Sequence, residues 1–390
     1  MKKLLKIFSC TAFAAWLTAA GSLSVSAEEP MVSAYAYSLY CTNTGEFLMA
    51  HNGEERLPMA STTKIMTAIL GLEMLQKNED DLVVTINENM YAEGSSMYLA
   101  AGEKLSMKDL VGGMLMVSGN DAANAVALTV GGSFEGFGEL MNQKAADIGL
   151  LNTSFVTPSG LDAENHYTTA CDLAKLMEYC MENSLFREID SSQSIDVNFI
   201  EPAGKKTTYY NENRLLREYE YCVAGKTGYT DKAGRTLVSC AEKDGIRLIA
   251  VTLNDGDDWN DHKKMFDYGF DVLTMTELDL NFDDLKTSVV GGGSSEIKLD
   301  VSKPPAVCTS GGDNSDVELV YKIPRFVYAP IAKGERVGEI EYYKNGVYAG
   351  SSEVTSADDI EYSAGVTGFV DNVVSFFRRL INKIREASFD

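Results

Sequence analysis

The sequence predicts an α+β domain, an antiparallel sheet flanked by helices, followed by a small all-β domain and a C-terminal amphipathic helix. Three observations carry this. Strand-like segments before residue 51 and after about residue 195 enclose a helical stretch between residues 61 and 183. Near Glu277 the composition shifts to Gly/Ser turns separating Val- and Ile-rich pieces of strand length. Between residues 366 and 384 apolar residues return at helical spacing for about five turns. The divisions that follow are 1–27, 28–277, 278–360 and 361–390.

Residues 1–27 read as a secretory signal peptide. Lys2, Lys3 and Lys6 make a basic start, an apolar run follows from Ile7 to Ala20, and Val25-Ser26-Ala27 makes a small-x-small exit. The run is too short and too broken by Ser, Thr and Cys to span a membrane. Cleavage is expected after Ala27, placing the mature chain outside the cytoplasm. Loss of three lysines takes the net charge from −23 to −26. With no Lys/Arg cluster in the body of the chain, nucleic acid is excluded as a partner. Of seven cysteines, Cys10 leaves with the leader and Cys41, Cys171, Cys180, Cys222, Cys240 and Cys308 remain. They show no C-x-x-C and no metal-ligand spacing, so free buried thiols are expected and no metal. Cys171 and Cys180 fall on opposite faces of one helix and should not bond each other. None of His51, His166 and His262 adjoins a nucleophile motif, so a Ser-His-Asp triad has no support.

The elements follow in order. Residues 32–40 and 46–50 flank Thr42-Asn43-Thr44-Gly45 and read as a hairpin. After Ser61 the chain is apolar on nearly every side (Ile65, Met66, Ile69, Leu70, Leu72, Met74, Leu75), the pattern of a buried helix. Residues 80–105 are loop-rich and extended. Ser106 with Asp109 starts a helix over 107–117, and further helices span 121–130, 134–148 and 169–183, two of them closed by Gly131-Gly132 and Gly149. Residues 219–223 lead as a strand into Lys226-Thr227-Gly228. Residues 236–241 and 246–253 form a hairpin about Asp244-Gly245, and 259–273 is a closing helix. In the β-rich domain, strands are expected over 317–323, 336–343 and 346–354.

Chemistry centres on Ser61-Thr62-Thr63-Lys64. Ser and Lys three apart share a helix face. Burial disfavours the ammonium, and a neutral lysine can take a proton from serine. Alone, Ser-x-x-Lys is common, and its plain reading is an N-cap serine before a surface lysine. Two more motifs raise its weight: Ser118-Gly119-Asn120 between two helices, and Lys226-Thr227-Gly228 on a strand before a turn.

The trio in this order marks penicillin-binding proteins and serine β-lactamases. The surrounding segments resemble the D-alanyl-D-alanine carboxypeptidases: 56–64, 116–122, Gly160-Leu161-Asp162, His166-Tyr167-Thr168-Thr169-Ala170, and 225–230 with Ala233-Gly234. The resemblance covers residues 33 to about 275 well and the β-rich part more loosely. It implies a β-lactamase/transpeptidase-like catalytic domain that removes the terminal D-alanine of peptidoglycan pentapeptides and binds β-lactams covalently. Ser61 would be the nucleophile, Lys64 its base and Ser118 the proton relay beside Lys226. Asn120 would grip the substrate backbone. Lys226 and Thr227, with Gly228, would receive the terminal carboxylate, and the N–H groups of Ser61 and Tyr229 would form the oxyanion hole. No cofactor is implied. Arg235, after Ala233-Gly234, lies at a position that varies in the family.

A class A β-lactamase would need a Glu-x-x-Leu-Asn loop, and before Leu151-Asn152 the glutamate position holds Ile148. A D,D-endopeptidase is usually a shorter chain, and intact motifs argue against a non-catalytic peptidoglycan-binding module. The last helix sets Val366, Phe369, Val370, Val373, Val374, Phe377, Leu380, Ile381 and Ile384 against a face with Arg378, Arg379 and Lys383. That pattern suits a helix lying on an anionic membrane and tethering the enzyme to the outer face of the cytoplasmic membrane.

Overall fold

The computed structural model describes residues 28–77, 82–312, 316–363, 374 and 376–379. The expected leader lies outside them, as does most of the expected C-terminal helix.

Strands β1 (Ala36–Cys41) and β2 (Glu46–His51) form the hairpin. A 3-10 turn, Ala60–Thr63, runs into helix α1 (Lys64–Lys77), so Ser61 sits in the turn and Lys64 opens the helix. Every residue from Lys64 to Leu72 is buried, because α1 is the centre of the helical layer. Strands β3 (Val83–Thr85) and β4 (Lys104–Ser106) emerge from the loop-rich stretch. Ser106 caps α2 (Met107–Val117), its hydroxyl accepting from the Asp109 N–H at 3.0 Å. Helices α3 (Asn120–Gly131), α4 (Phe134–Asp147) and α5 (Ala170–Glu182) follow, the last two capped by Ser133 and Thr169.

Helix α6 (Ser184–Asp190) is an addition to the sequence reading. Asn183 ends α5 and caps α6 at once, accepting from Leu185 and Phe186. Strands β5 (Ser194–Glu201) and β6 (Lys206–Tyr210) join the two short strands in a second sheet of order β3-β4-β5-β6. After the single turn α7 (Leu215–Glu218) come β7 (Cys222–Thr230), β8 (Gly234–Lys243) and β9 (Ile246–Leu253). The main sheet runs β2-β1-β9-β8-β7, antiparallel throughout, with first and last strands adjacent. Its β8–β9 turn places Asp244 and Gly245 at φ +50° and +84°, the conformation an Asp-Gly hairpin turn needs. Helix α8 (Asp258–Val272) covers the face opposite α1 and α5. Both faces of β9 are therefore buried: Ile249 and Val251 against the helical layer, Leu248 and Ala250 on the other side. This is why its middle, Leu248 to Val251, reads as an uninterrupted apolar run.

Strand β10 (Leu273–Glu277) leads into the β-rich domain: β11 (Lys286–Val290), β12 (Glu296–Val301), β13 (Ala306–Ser310), β14 (Val317–Lys322), β15 (Phe326–Tyr328), β16 (Arg336–Lys344) and β17 (Val347–Ser356). Six of these strands form one sheet of order β14-β16-β17-β12-β11-β15, over a core that includes Ile297, Leu299, Ile340, Tyr342 and Val354. Strand β13 instead turns back and pairs antiparallel with β10. Val374 and Phe376–Arg379 are helical and exposed. Among the described residues, no helix is long and apolar enough to cross a membrane.

Candidate active site

The three motifs converge on one cleft of about 500 Å³, lined by Ser61, Ser118, Glu212, Thr227, Gly228 and Arg235 among others. A larger cleft of about 1260 Å³, between the two domains, holds no member of the trio. Ile148, the position a class A β-lactamase fills with glutamate, lines that far cleft.

Ser61 is half-buried and Lys64 wholly buried. Lys64 Nζ lies 2.9 Å from Ser61 Oγ, 2.7 Å from Asn120 Oδ1 and 2.7 Å from the Ser159 carbonyl. Burial holds the Lys64 ammonium well below its usual range, and the Lys226 charge adds to this, partly offset by Glu212 and Asp121. A neutral amine has two hydrogens and one lone pair. The two carbonyl oxygens can only accept, so they take both hydrogens. The lone pair is left for Ser61 Oγ–H, the arrangement a general base requires.

The segments around Ser61 are held in uncommon conformations. Ala60 and Ser118 have φ of +49° and +57°, sparsely populated values for residues with side chains. Ser118 ends α2 in this left-handed turn, and Asn120 opens α3 two residues later. Asn120 is buried: its Oδ1 receives Lys64, and its Nδ2 donates to the Glu93 carbonyl at 2.7 Å. It therefore positions Lys64, and the expected grip on substrate rests on its remaining N–H. Asp121 accepts from the N–H groups of Met97 and Leu99 and from Ser96, which fixes the loop forming one wall of the cleft.

Strand β7 forms the opposite wall. Lys226 is buried, its Nζ donating to the Thr227 carbonyl at 2.9 Å. Burial lowers its pKa, opposed by Glu212 and Asp190. Gly228 lets the strand approach Ser61. A Cβ there would lie 2.4 Å from Thr236 Oγ1 and 2.9 Å from the Ser61 nitrogen. Gly228→Ala should therefore push β7 away from the Ser61 N–H and open the oxyanion hole. Its acylation rate is expected to fall about 10²–10³-fold, the usual loss for one oxyanion donor, with Tm nearly kept. A stopped-flow acylation rate equal to that of the unsubstituted protein would contradict this.

Several contributing residues were given no role by the sequence. His166 Nδ1 accepts from the Val156 N–H at 2.9 Å, so Nε2 carries the hydrogen and donates to Thr63 Oγ1 at 2.9 Å. Thr63 in turn donates to the Ala60 carbonyl. His166 thus braces the turn holding Ser61. Burial lowers its pKa to about 4, so its neutral form belongs to the fold, and this contribution to stability is lost as pH falls from about 6.5 towards 4. Asp190, at the end of α6, accepts from the Gly225 N–H at 2.8 Å behind the Lys-Thr-Gly strand. Burial raises its carboxyl to about 7, opposed by that bond and by Lys226. Arg235 stands opposite Tyr229 in the β7–β8 register. Its guanidinium pairs with buried Asp258 at 3.0 and 2.5 Å and lies 5.7 Å from the Trp259 ring. Arg235, Asp258 and Trp259 all line the cleft.

A serine hydroxyl 2.9 Å from a buried lysine amine, on a sheet-and-helix frame with a second lysine on the facing strand, is the arrangement of a serine acyl-transfer enzyme of the penicillin-binding class. The chain belongs to the D-alanyl-D-alanine carboxypeptidase family, whose profile matches residues 23–257. Residues 278–362 match the C-terminal domain of penicillin-binding protein 5. The chain is 33% identical to D-alanyl-D-alanine carboxypeptidase DacF of Bacillus subtilis, covering 83% of this chain and 85% of that one. It is 31% identical to DacA of Haemophilus influenzae over 94% and 96% of the two chains. Among solved structures it resembles penicillin-binding protein 5 of Haemophilus influenzae, with a TM-score of 0.61, 29% identity, and 85% and 98% of the chains covered.

Proposed function

We propose that this enzyme removes the terminal D-alanine from peptidoglycan pentapeptides through a Ser61 acyl-enzyme, and that β-lactams trap the same serine. The single observation that carries this is Lys64 Nζ at 2.9 Å from Ser61 Oγ with two carbonyls on its other side. Lys64 takes the Ser61 proton as Oγ attacks the D-Ala-D-Ala carbonyl. The N–H groups of Ser61 and Tyr229 receive the oxyanion. Ser118 passes a proton to the departing D-alanine, and water then releases the shortened peptide. Thr227 and the Lys226 charge attract the terminal carboxylate, as the sequence suggests. Arg235, with N–H groups free of Asp258, adds the directional partner, since a guanidinium suits a carboxylate best.

The test is D-alanine release from an acylated Lys-D-Ala-D-Ala tripeptide. The free acid should be turned over and its C-terminal amide scarcely at all. Arg235→Gln should raise KM for the free acid about 10–100-fold and leave the amide unchanged, as expected for one charge-assisted contact. No release from the free acid would contradict the proposed activity. An equal effect of Arg235→Gln on acid and amide would remove Arg235 from the carboxylate site.

We also propose export by residues 1–27 and attachment to the outer face of the cytoplasmic membrane by residues 361–390. The exposed, adjacent Phe376, Phe377, Arg378 and Arg379 support this. The full chain without its leader should sediment with anionic vesicles, and salt or Phe377→Asp should weaken that binding. A chain ending at Glu361 should stay in solution with full activity on small peptides. Equal indifference of both to vesicles would end the anchor proposal.

A further inference from the structure

Two cysteines far apart in the chain meet where the domains join. Cys41 closes β1 of the catalytic domain, and Cys308 lies in β13, the strand of the β-rich domain that turns back to pair with β10. They are 267 positions apart, yet their Sγ atoms are 3.9 Å apart and both residues are buried. They share one apolar cluster with Leu39, Leu248, Ala250, Phe266 and Leu273. Bonded sulfurs lie about 2.05 Å apart, so the remaining gap of roughly 2 Å is shared between two side chains.

We propose that Cys41 and Cys308 are a modification site, oxidised to a disulfide that pins the β-rich domain to the first strand of the catalytic domain. The contact between the two sulfurs favours ionisation of one thiol of the pair: with Cys308 as donor the Cys41 thiol is lowered, burial opposes this, and the Thr44 hydroxyl and the backbone N–H groups of Thr44 and Asn43 assist. Cys41 attacks as that thiolate, and the same cystine forms if the two sulfurs exchange roles. The oxidant is an external disulfide. Cys41 S⁻ attacks one of its sulfurs and expels the other as a thiolate. Cys308, deprotonated in turn, attacks Cys41 Sγ of the mixed disulfide and expels the second thiolate. Two protein thiols are oxidised, one external disulfide is reduced to two thiols, and no other electron acceptor is needed. Local opening of the β10–β13 edge admits the oxidant. In the cell the reaction rests on the export proposed above, because disulfides persist in oxidising surroundings.

The consequence is mechanical. With the bond closed, the β-rich domain is held at two places, the chain at Glu277 and the cystine at Cys308. The catalytic cleft then keeps a fixed direction relative to whatever the C-terminus holds. Neither cysteine lines the catalytic cleft, so acylation in solution should not change.

The test incubates the full chain without its leader with oxidised glutathione, then unfolds it in N-ethylmaleimide. The expected result is four alkylated thiols in place of the six that the reduced chain holds. Digestion should yield a Cys41–Cys308 cross-linked peptide that Cys308→Ala lacks. Dithiothreitol should lower the Tm of the oxidised protein by roughly 5–15 °C, as for a disulfide closing a long loop, and leave Cys308→Ala unmoved. Six alkylated thiols after oxidation, glutathione retained on Cys41, a cross-link between any other pair, or a Tm indifferent to reductant would each overturn the proposal. None of these results depends on whether the chain is exported.

Discussion

Replacing Lys64 with arginine is expected to slow acylation of Ser61 by about four orders of magnitude, the scale of losing a general base that acts as a unit with its nucleophile. The substitution keeps a cation in the same place. What it removes is the lone pair, because a guanidinium does not give up its proton at working pH. In the native site, Asn120 Oδ1 and the Ser159 carbonyl can take both hydrogens of the amine in its neutral form, which leaves the lone pair to Ser61. The pH dependence follows with a definite sign. Burial and the Lys226 charge lower the folded-state pKa of Lys64. Acylation by the native enzyme should therefore rise with pH through that lowered value and stay high beyond it. The arginine variant should lose this limb. A single-turnover acylation rate measured from acid to neutral pH checks both points, with Tm recorded alongside because a permanently charged buried side chain also costs stability. Near-native rates with the same limb in Lys64→Arg would move the base elsewhere, first to Ser118.

How much of this was legible follows from where the physics is local. The helices over 107–117 and 169–183 announce themselves by period and cap, and they appear as Met107–Val117 and Ala170–Glu182. Asp244-Gly245 named its own hairpin. The second sheet was only half legible: β5 and β6 lie where strands were expected, from about residue 195, but β3 and β4 are three residues each and carry no period. Helix α6 was hidden for a different reason: one residue, Asn183, both stops α5 and caps its successor. At the site, the trio could be read because its members sit close together within each motif. His166, Asp190 and Arg235 act across the fold, bracing the Ser61 turn, the Lys226 strand and the mouth of the cleft. No spacing in the chain encodes such contacts. The expected helical Ser61–Lys64 pairing also changed form: Ser61 lies in a 3-10 turn whose lead residue, Ala60, has a positive φ. The contact survives because three residues complete one turn of a 3-10 helix.

Ser61→Ala is expected to abolish covalent capture of penicillin altogether, since the bond is made by the oxygen that the substitution deletes. The most direct measurement is the intact mass of the protein after brief exposure to benzylpenicillin, followed by peptide mapping. A β-lactam mimics D-Ala-D-Ala and opens on the attacking serine, so the mass should rise by that of one penicillin with no leaving group lost. The adduct should map to the peptide carrying Ser61 and be absent from Ser61→Ala, while the variant keeps its Tm. A penicilloyl group that persists in Ser61→Ala, or that maps to Ser118 in the native chain, would contradict the assignment of Ser61 as the nucleophile.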